Sequence, residues 1–95
     1  MKPLFIPLNS KPFEDFKSGT KDTEYRRYGK RWNERTCVVG RRVTLSKGYS
    51  KKHRISGTIT DFTTKSAADP SLPELSGYFA TPILTMVACI RVKID

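Results

Sequence analysis

The chain has 95 residues and a formal net charge of +9, with 28% charged and 37% hydrophobic residues. This length suits one domain over residues 1–95, and five Phe, four Tyr and one Trp argue against a disordered chain. Two cysteines without a C-x-x-C pair and one histidine exclude a closed zinc site, and no apolar run is long enough to span a bilayer. We therefore expect a cytoplasmic monomer with no membrane partner and with both thiols reduced.

The N-terminal part of the chain predicts a strand followed by a short helix. Residues Leu4 to Leu8 form a brief apolar run with strand-type side chains. Ser10 then offers an N-cap, and Phe13 and Phe16 fall on one helical face. Gly19 is placed to end the helix in a left-handed cap, so we expect about two helical turns.

Residues Thr20 to Tyr28 predict a second strand with two different faces. One face carries Glu24, Arg26 and Tyr28. The other carries Tyr25, which we expect in the core. Lys21 is out of phase with Glu24, because a regular strand would send side chains three positions apart to opposite faces. If both serve one pocket, the strand must begin near Thr23 or contain a bulge.

Alternating apolar and polar residues predict three further strands. Val43 to Ser46 and Arg54 to Phe62 should pair as an antiparallel hairpin, and Met86 to Ile94 is the clearest strand of the chain. Residues 63–85 are the least patterned, since prolines and a glycine interrupt them. Near-helical spacing in that segment predicts a single turn carrying Leu72, Leu75 and Phe79.

These elements define the expected fold class, which is mainly β with short helices (α+β). About five to six short strands, with one helix between the first two, best hide their edges by curling into a small β-barrel.

The positive charge is concentrated in one part of the chain. Lys17 to Arg54 contains thirteen of the eighteen Lys and Arg residues against three carboxylates. Such a field attracts polyanions, above all nucleic acids, although a solvated basic surface would have the same composition.

Within this basic segment, four residues form the pattern G-x-K-x-x-E-x-R, at Gly19, Lys21, Glu24 and Arg26. The pattern resembles the signature of the ASCH domain, a branch of the PUA-like β-barrel superfamily. The preceding strand and helix agree with that family, as does the later segment V-T-L-S-K-G-Y. The resemblance implies a PUA-like barrel with a cleft beside the helix that binds RNA, a nucleotide or a nucleoside, lined by the motif's Lys, Glu and Arg.

The resemblance also leaves an enzymatic alternative. Some ASCH proteins are ribonucleases, and one bacterial branch is an amidohydrolase acting on N4-acetylcytidine, with a threonine where this chain has Glu24 and a further glutamate well downstream. Of the two later glutamates, Glu34 lies too close to the motif, and whether Glu74 takes that second position stays open. If the chain is an enzyme, Lys21 and Glu24 are the catalytic candidates. We expect no cofactor and no metal ligand set, apart from a divalent metal if the chain is a ribonuclease.

The residue types in the motif suit recognition of an anion. Glu24 would hold the two cations in place, and Arg26 would offer a planar fork to a phosphate or a base edge. An ordinary exposed salt bridge is the alternative. We treat Trp32 as a packing anchor and His53 as a surface residue. Further nucleic-acid-binding candidates are Tyr28, Arg31, Ser46, Lys47, Tyr49 and Lys51.

Overall fold

The computed structural model describes residues 1–72 and 86–95 of the chain. In order, its elements are β1 Leu4–Leu8, α1 Ser10–Ser18, β2 Thr23–Arg27, β3 Arg42–Lys47, β4 Arg54–Ser66 and β5 Met86–Ile94. The five strands form one sheet with the spatial order β1-β3-β4-β5-β2, and this sheet curls into a half-barrel. A mainly β fold with one helix between the first two strands is therefore confirmed.

Helix α1 seals the concave side of the sheet with two phenylalanines. Phe13 and Phe16 are 2% and 1% exposed, and burying each stabilises the fold by about 1.5–3 kcal/mol. The predicted N-cap is wrong by one residue, because Asn9 is the extended N-cap and Ser10 already belongs to the helix. The backbone N–H of Gly19 donates to the Phe16 carbonyl at a φ of 84°, which confirms the left-handed cap.

The predicted hairpin forms between β3 and β4, with Val43 opposite Gly57. β4 then continues past Phe62 to Ser66, because it pairs antiparallel with β5 on its other side. Gly57 is required where these strands meet, since a Cβ atom there would lie 2.6 Å from the Lys93 carbonyl oxygen. Of the turn predicted after β4, Leu75 and Phe79 lie outside the described residues, as does Glu74.

The two edges of the sheet are β1 and β2. β1 pairs in parallel with β3, and β2 pairs antiparallel with β5, so no ladder joins β1 to β2. Pro7 lies on the edge strand β1, where a proline is tolerated because it has no N–H to donate to a neighbouring strand. The half-barrel therefore has a seam between its first two strands, and the sequence motif lies beside it.

The core fills the space between the concave face of the sheet and α1. It comprises Ile6, Leu8, Phe13, Phe16, Cys37, Val43, Leu45, Ile59, Ile90 and Val92. Both cysteines are free and buried, and burial raises the pKa of each thiol. Met86, the first residue of β5, is 41% exposed and lies outside this core.

In the two described ranges, α1 is too short and too polar to cross a bilayer, and no other helix there qualifies.

Candidate functional site

The start of β2 determines how the motif residues come together. β2 begins at Thr23, which is one of the two arrangements predicted from the sequence. Lys21 therefore precedes the strand, and the alternation of side chains along β2 does not fix its direction. The backbone N–H of Lys21 donates to the Asp15 carbonyl at 3.0 Å, which turns the chain back over the end of α1. The Lys21 ammonium then lies 3.1 Å from Oε1 of Glu24. The odd spacing therefore does not separate the two side chains.

Glu24 is the centre of the cluster, and we call Lys21, Glu24 and Arg26 the motif trio. The Glu24 residue is only 1% exposed. One carboxylate oxygen faces the Lys21 ammonium, and the other accepts a hydrogen bond from Nε of Arg26 at 2.8 Å and lies 2.8 Å from Nη2. Removing a carboxylate from water is costly unless it is paired, and charge-assisted contacts at both oxygens meet that requirement.

Arg26 also joins the two edges of the sheet. Its Nη2 donates a short hydrogen bond to the carbonyl oxygen of Pro7 in β1, across the seam that no ladder bridges. The guanidinium carbon lies 4.8 Å from the centroid of the Trp32 ring, and that of Arg31 lies 5.5 Å from the same ring. Trp32 packs against the core as predicted, and it also supports two guanidinium groups through cation–π contacts.

Lys21 connects the buried carboxylate with the surface. Its side chain is 27% exposed, and its ammonium lies 5.6 Å from the centroid of the Phe16 ring and 5.9 Å from that of Tyr25. Lys21 is one of five residues that line an open hollow of about 300 Å³, together with Thr20, Asp22, Thr23 and Tyr25.

The expectation that Tyr25 belongs to the core is wrong. Tyr25 is half-buried on the outer face of β2, because Glu24 and Arg26 occupy the inward positions of this strand. Partial burial raises the pKa of the Tyr25 phenol above its usual value.

Tyr28 follows Arg26 on the same side of the chain and is 37% exposed. Its hydroxyl donates a short hydrogen bond to the Glu34 carboxylate. This bond raises the pKa of Tyr28 and lowers that of Glu34. Together with Thr64 and Met86, the two side chains line a smaller hollow of about 130 Å³. Tyr28 is therefore partly exposed to solvent, while its hydroxyl is already hydrogen-bonded to Glu34.

The predicted candidates at the end of β3 do not contact the motif trio. Ser46 is fully buried on the outer side of the sheet, where its hydroxyl donates to the Ser50 carbonyl at 3.2 Å. Its assignment as a ligand-binding residue has no support from this position. Lys47 forms an ion pair with Glu14 of α1 at 2.9 Å, and this contact lowers the pKa of that carboxyl. Lys47 therefore anchors the helix.

Tyr49 and Lys51 lie in the loop between β3 and β4, away from the motif trio. Tyr49 is 78% exposed and stacks on Phe5, which occupies the outer face of β1. Lys51 is exposed in the same loop. The binding residues predicted as one set thus divide into two surfaces on opposite faces of the sheet.

Among the contacts of the motif trio that sequence reasoning missed, two differ in whether the sequence held a signal for them. Phe16 lies beneath Lys21, and the helix-ending Gly19 between them was a usable signal for that contact. The Pro7 carbonyl that receives Arg26 had no local signal, since β1 and β2 approach each other only through the curvature of the sheet.

No family model matches the chain, and none of the curated proteins matches it either. Among residues 1–72 and 86–95, no three His, Cys, Asp or Glu side chains are grouped closely enough to hold a metal ion.

Proposed function

We propose that this chain is an ASCH-type, PUA-like domain that binds RNA or a nucleotide through the surface around the motif trio. The observation that carries the proposal is the arrangement of two cations on one buried carboxylate. Lys21 and Arg26 both pair with Glu24, yet their side chains remain 27% and 17% exposed. The cluster keeps one net positive charge at the surface and holds it in a defined place.

Glu24 acts in this proposal as a positioning residue. Lysine and arginine side chains lose considerable rotamer freedom when they bind a ligand, and that loss weakens binding. The buried carboxylate fixes both cations when the chain folds, so ligand binding does not have to restrict their rotamers further. Within the described residues Nη1 of Arg26 makes no hydrogen bond, which leaves it able to donate to a phosphate or a base edge.

The segment of the chain that follows the motif trio has the charge that an RNA ligand requires. Four exposed cations follow the motif trio in the chain, namely Arg27, Lys30, Arg31 and Arg35. The exposed carboxylate in the same segment belongs to Glu34, and it accepts a hydrogen bond from the Tyr28 hydroxyl. The ring of Tyr28 adds an apolar surface beside Arg26 on which a base can stack.

The test compares two lysine variants with the same change of charge. Lys21→Gln removes the ammonium from the motif trio, whereas Lys11→Gln removes one from the exposed face of α1, where Lys11 is 85% exposed and pairs with Asp15. Fluorescence anisotropy with short single-stranded RNA and with nucleoside monophosphates measures affinity. A lost hydrogen bond to a charged group costs about 1.5–3 kcal/mol, so Lys21→Gln should weaken binding by roughly ten- to hundredfold.

Salt dependence provides the second readout. The logarithm of the RNA affinity should fall linearly with the logarithm of the salt concentration, and Lys21→Gln should make that slope shallower by about 0.7. Equal losses of affinity in Lys21→Gln and Lys11→Gln would contradict the proposal, because a diffuse basic surface would then explain the binding. Preference for an acidic protein over RNA in competition would favour an interaction domain.

The hydrolase alternative finds no specific support in this geometry. Glu24 is 1% exposed and engaged at both oxygens, so it does not reach a substrate unless the cluster opens. Incubation with RNA and with N4-acetylcytidine, with and without a divalent metal, tests the alternative directly. Turnover by the wild type that Lys21→Gln abolishes would establish catalysis and replace the binding proposal.

A further inference from the structure

A second cluster of ring and cation contacts lies on the outer face of the sheet, and we call Phe5, Tyr49 and Arg54 the outer platform. The rings of Phe5 and Tyr49 stack with centroids 5.9 Å apart and planes 27° apart. The guanidinium carbon of Arg54 lies 5.2 Å from the centroid of the Phe5 ring. Tyr49 is 78% exposed, so one face of its ring rests on Phe5 and the other is open to solvent.

The outer platform is distinct from the motif trio. In β1 the buried residues Ile6 and Leu8 face the core. Phe5 alternates with them, so its side chain points away from the core. Glu24 and Arg26 lie on the inward side of β2. A ligand on the outer platform therefore contacts a different face of the sheet.

The loop that presents Tyr49 is held in place by backbone contacts. The Gly48 N–H donates to the Leu8 carbonyl at 2.8 Å, and the Lys47 N–H donates to the His53 carbonyl at 2.9 Å. Ser46 adds a bond to the Ser50 carbonyl inside the loop at 3.2 Å. An exposed tyrosine on an ordered loop loses little conformational entropy when another ring stacks on it.

The segment of the chain that carries Tyr49 and Arg54 is basic. Residues 41–60 contain no Asp or Glu, and Lys51, Lys52 and Arg54 are exposed there. An open aromatic face beside several cations suits single-stranded nucleic acid, in which unpaired bases stack while the phosphates meet Lys and Arg.

We infer that the outer platform is a stacking site for an unpaired base of single-stranded nucleic acid. The inference rests on the RNA binding in the proposed function and extends it, because a second contact on the opposite face would make the protein select single strands over duplexes. Bases in a duplex are already stacked and cannot reach the Tyr49 ring.

The experiment measures the affinity of the whole chain for a short oligouridylate, for the same oligomer with one abasic position, and for an RNA duplex. Tyr49→Ala removes the ring, Tyr49→Phe keeps it, and Lys21→Gln reports on the motif trio. Tyr49→Ala should weaken binding of the single strand by roughly five- to hundredfold and leave duplex binding unchanged. Tyr49→Phe should bind as the wild type does, and Tyr49→Ala should bind the intact and abasic oligomers alike.

The outcomes separate this inference from the proposed function. If Lys21→Gln weakens single-strand binding and Tyr49→Ala does not, the outer platform is refuted while the proposed function stands. If only Tyr49→Ala weakens it, the outer platform stands and the motif trio is not a binding site. Failure of the wild type to bind any of the three RNAs would overturn both, as would tighter binding of an acidic or aromatic peptide to the outer platform.

Discussion

Replacing Arg26 with methionine tests whether Glu24 is held as the structure indicates. The substitution keeps a long apolar side chain but removes both contacts to Glu24 and the bond across the seam to Pro7. Removing one partner of a buried ion pair costs about 3–5 kcal/mol. Because Lys21 still pairs with Glu24 at 3.1 Å, we expect the lower end, about 3 kcal/mol.

That loss is large for a chain of this size. Small domains have unfolding free energies of about 5–15 kcal/mol, so Arg26→Met should remove a fifth or more of the stability. In a domain of 60–100 residues, each kcal/mol shifts Tm by about 4–8 °C, which corresponds to a decrease of roughly 12–24 °C.

The assay is urea unfolding, followed by far-UV circular dichroism and by Trp32 fluorescence to test for two-state behaviour. Arg42→Met is the matched control, since Arg42 pairs with Asp95 at a site where the side chains are 48% and 54% exposed. Such a surface pair contributes about 0–1 kcal/mol. Equal losses of unfolding free energy in the two variants would refute the buried cluster.

A double variant separates lost pairing from lost packing. In Glu24→Leu combined with Arg26→Met, the orphaned carboxylate is gone and an apolar pair replaces the ion pair, an exchange that is often neutral or stabilising. We expect the double variant to regain most of the stability lost in Arg26→Met. A double variant as unstable as the single one would show that the seam contact to Pro7, rather than the charge on Glu24, accounts for the loss.

Three further predictions concern other parts of the molecule. Gly57→Ala should lower the unfolding free energy by about 1–3 kcal/mol because its Cβ atom would overlap a backbone carbonyl. Gly29→Ala, whose Cβ atom would have nothing within 4 Å, should lower it far less, and equal losses in urea unfolding would contradict this prediction. The Glu34 carboxyl has a lowered pKa because Tyr28 donates to it, so its contribution to stability is present above pH 4.5 and is lost as pH falls through the folded-state pKa. In Tyr28→Phe, the Glu34 pKa measured by NMR titration should rise towards 4.5, and an unchanged titration midpoint would disprove the contact. Both cysteine thiols are buried and have raised pKa values, so a thiol reagent should modify the folded chain much more slowly than the urea-unfolded chain, and equal rates would contradict their burial.

The buried carboxylate affects how variants of the motif trio are interpreted. Lys21→Gln leaves Glu24 with its two contacts to Arg26, so the fold should tolerate it and affinity can be measured directly. Arg26→Ala combines a loss of binding with a loss of stability, since it also opens the seam. Affinity changes in Arg26 variants therefore need a measurement of the folded fraction beside them.

Local patterns were sufficient for most of the secondary structure. Alternation identified the hairpin from Val43 and the strand ending at Ile94, and Gly19 marked the end of α1. The strand β4 was predicted too short, because its continuation to Ser66 is stabilised by pairing with β5 and has no strong apolar alternation of its own. Pairing between distant segments can extend a strand beyond its local signal.

Local sequence was enough to predict the helix and strand types, the basic segment, and the requirement that β2 begin near Thr23 or contain a bulge if Lys21 was to meet Glu24. These features depend on side-chain spacing and on turn residues, which act between near neighbours. Three features depend on the assembled fold: the Glu24 side of β2 faces inward, Arg26 closes the seam at Pro7, and Tyr49 lies on the opposite face. Alternation defines two faces of a strand, but the curvature of the whole sheet and the packing of α1 decide which face is buried.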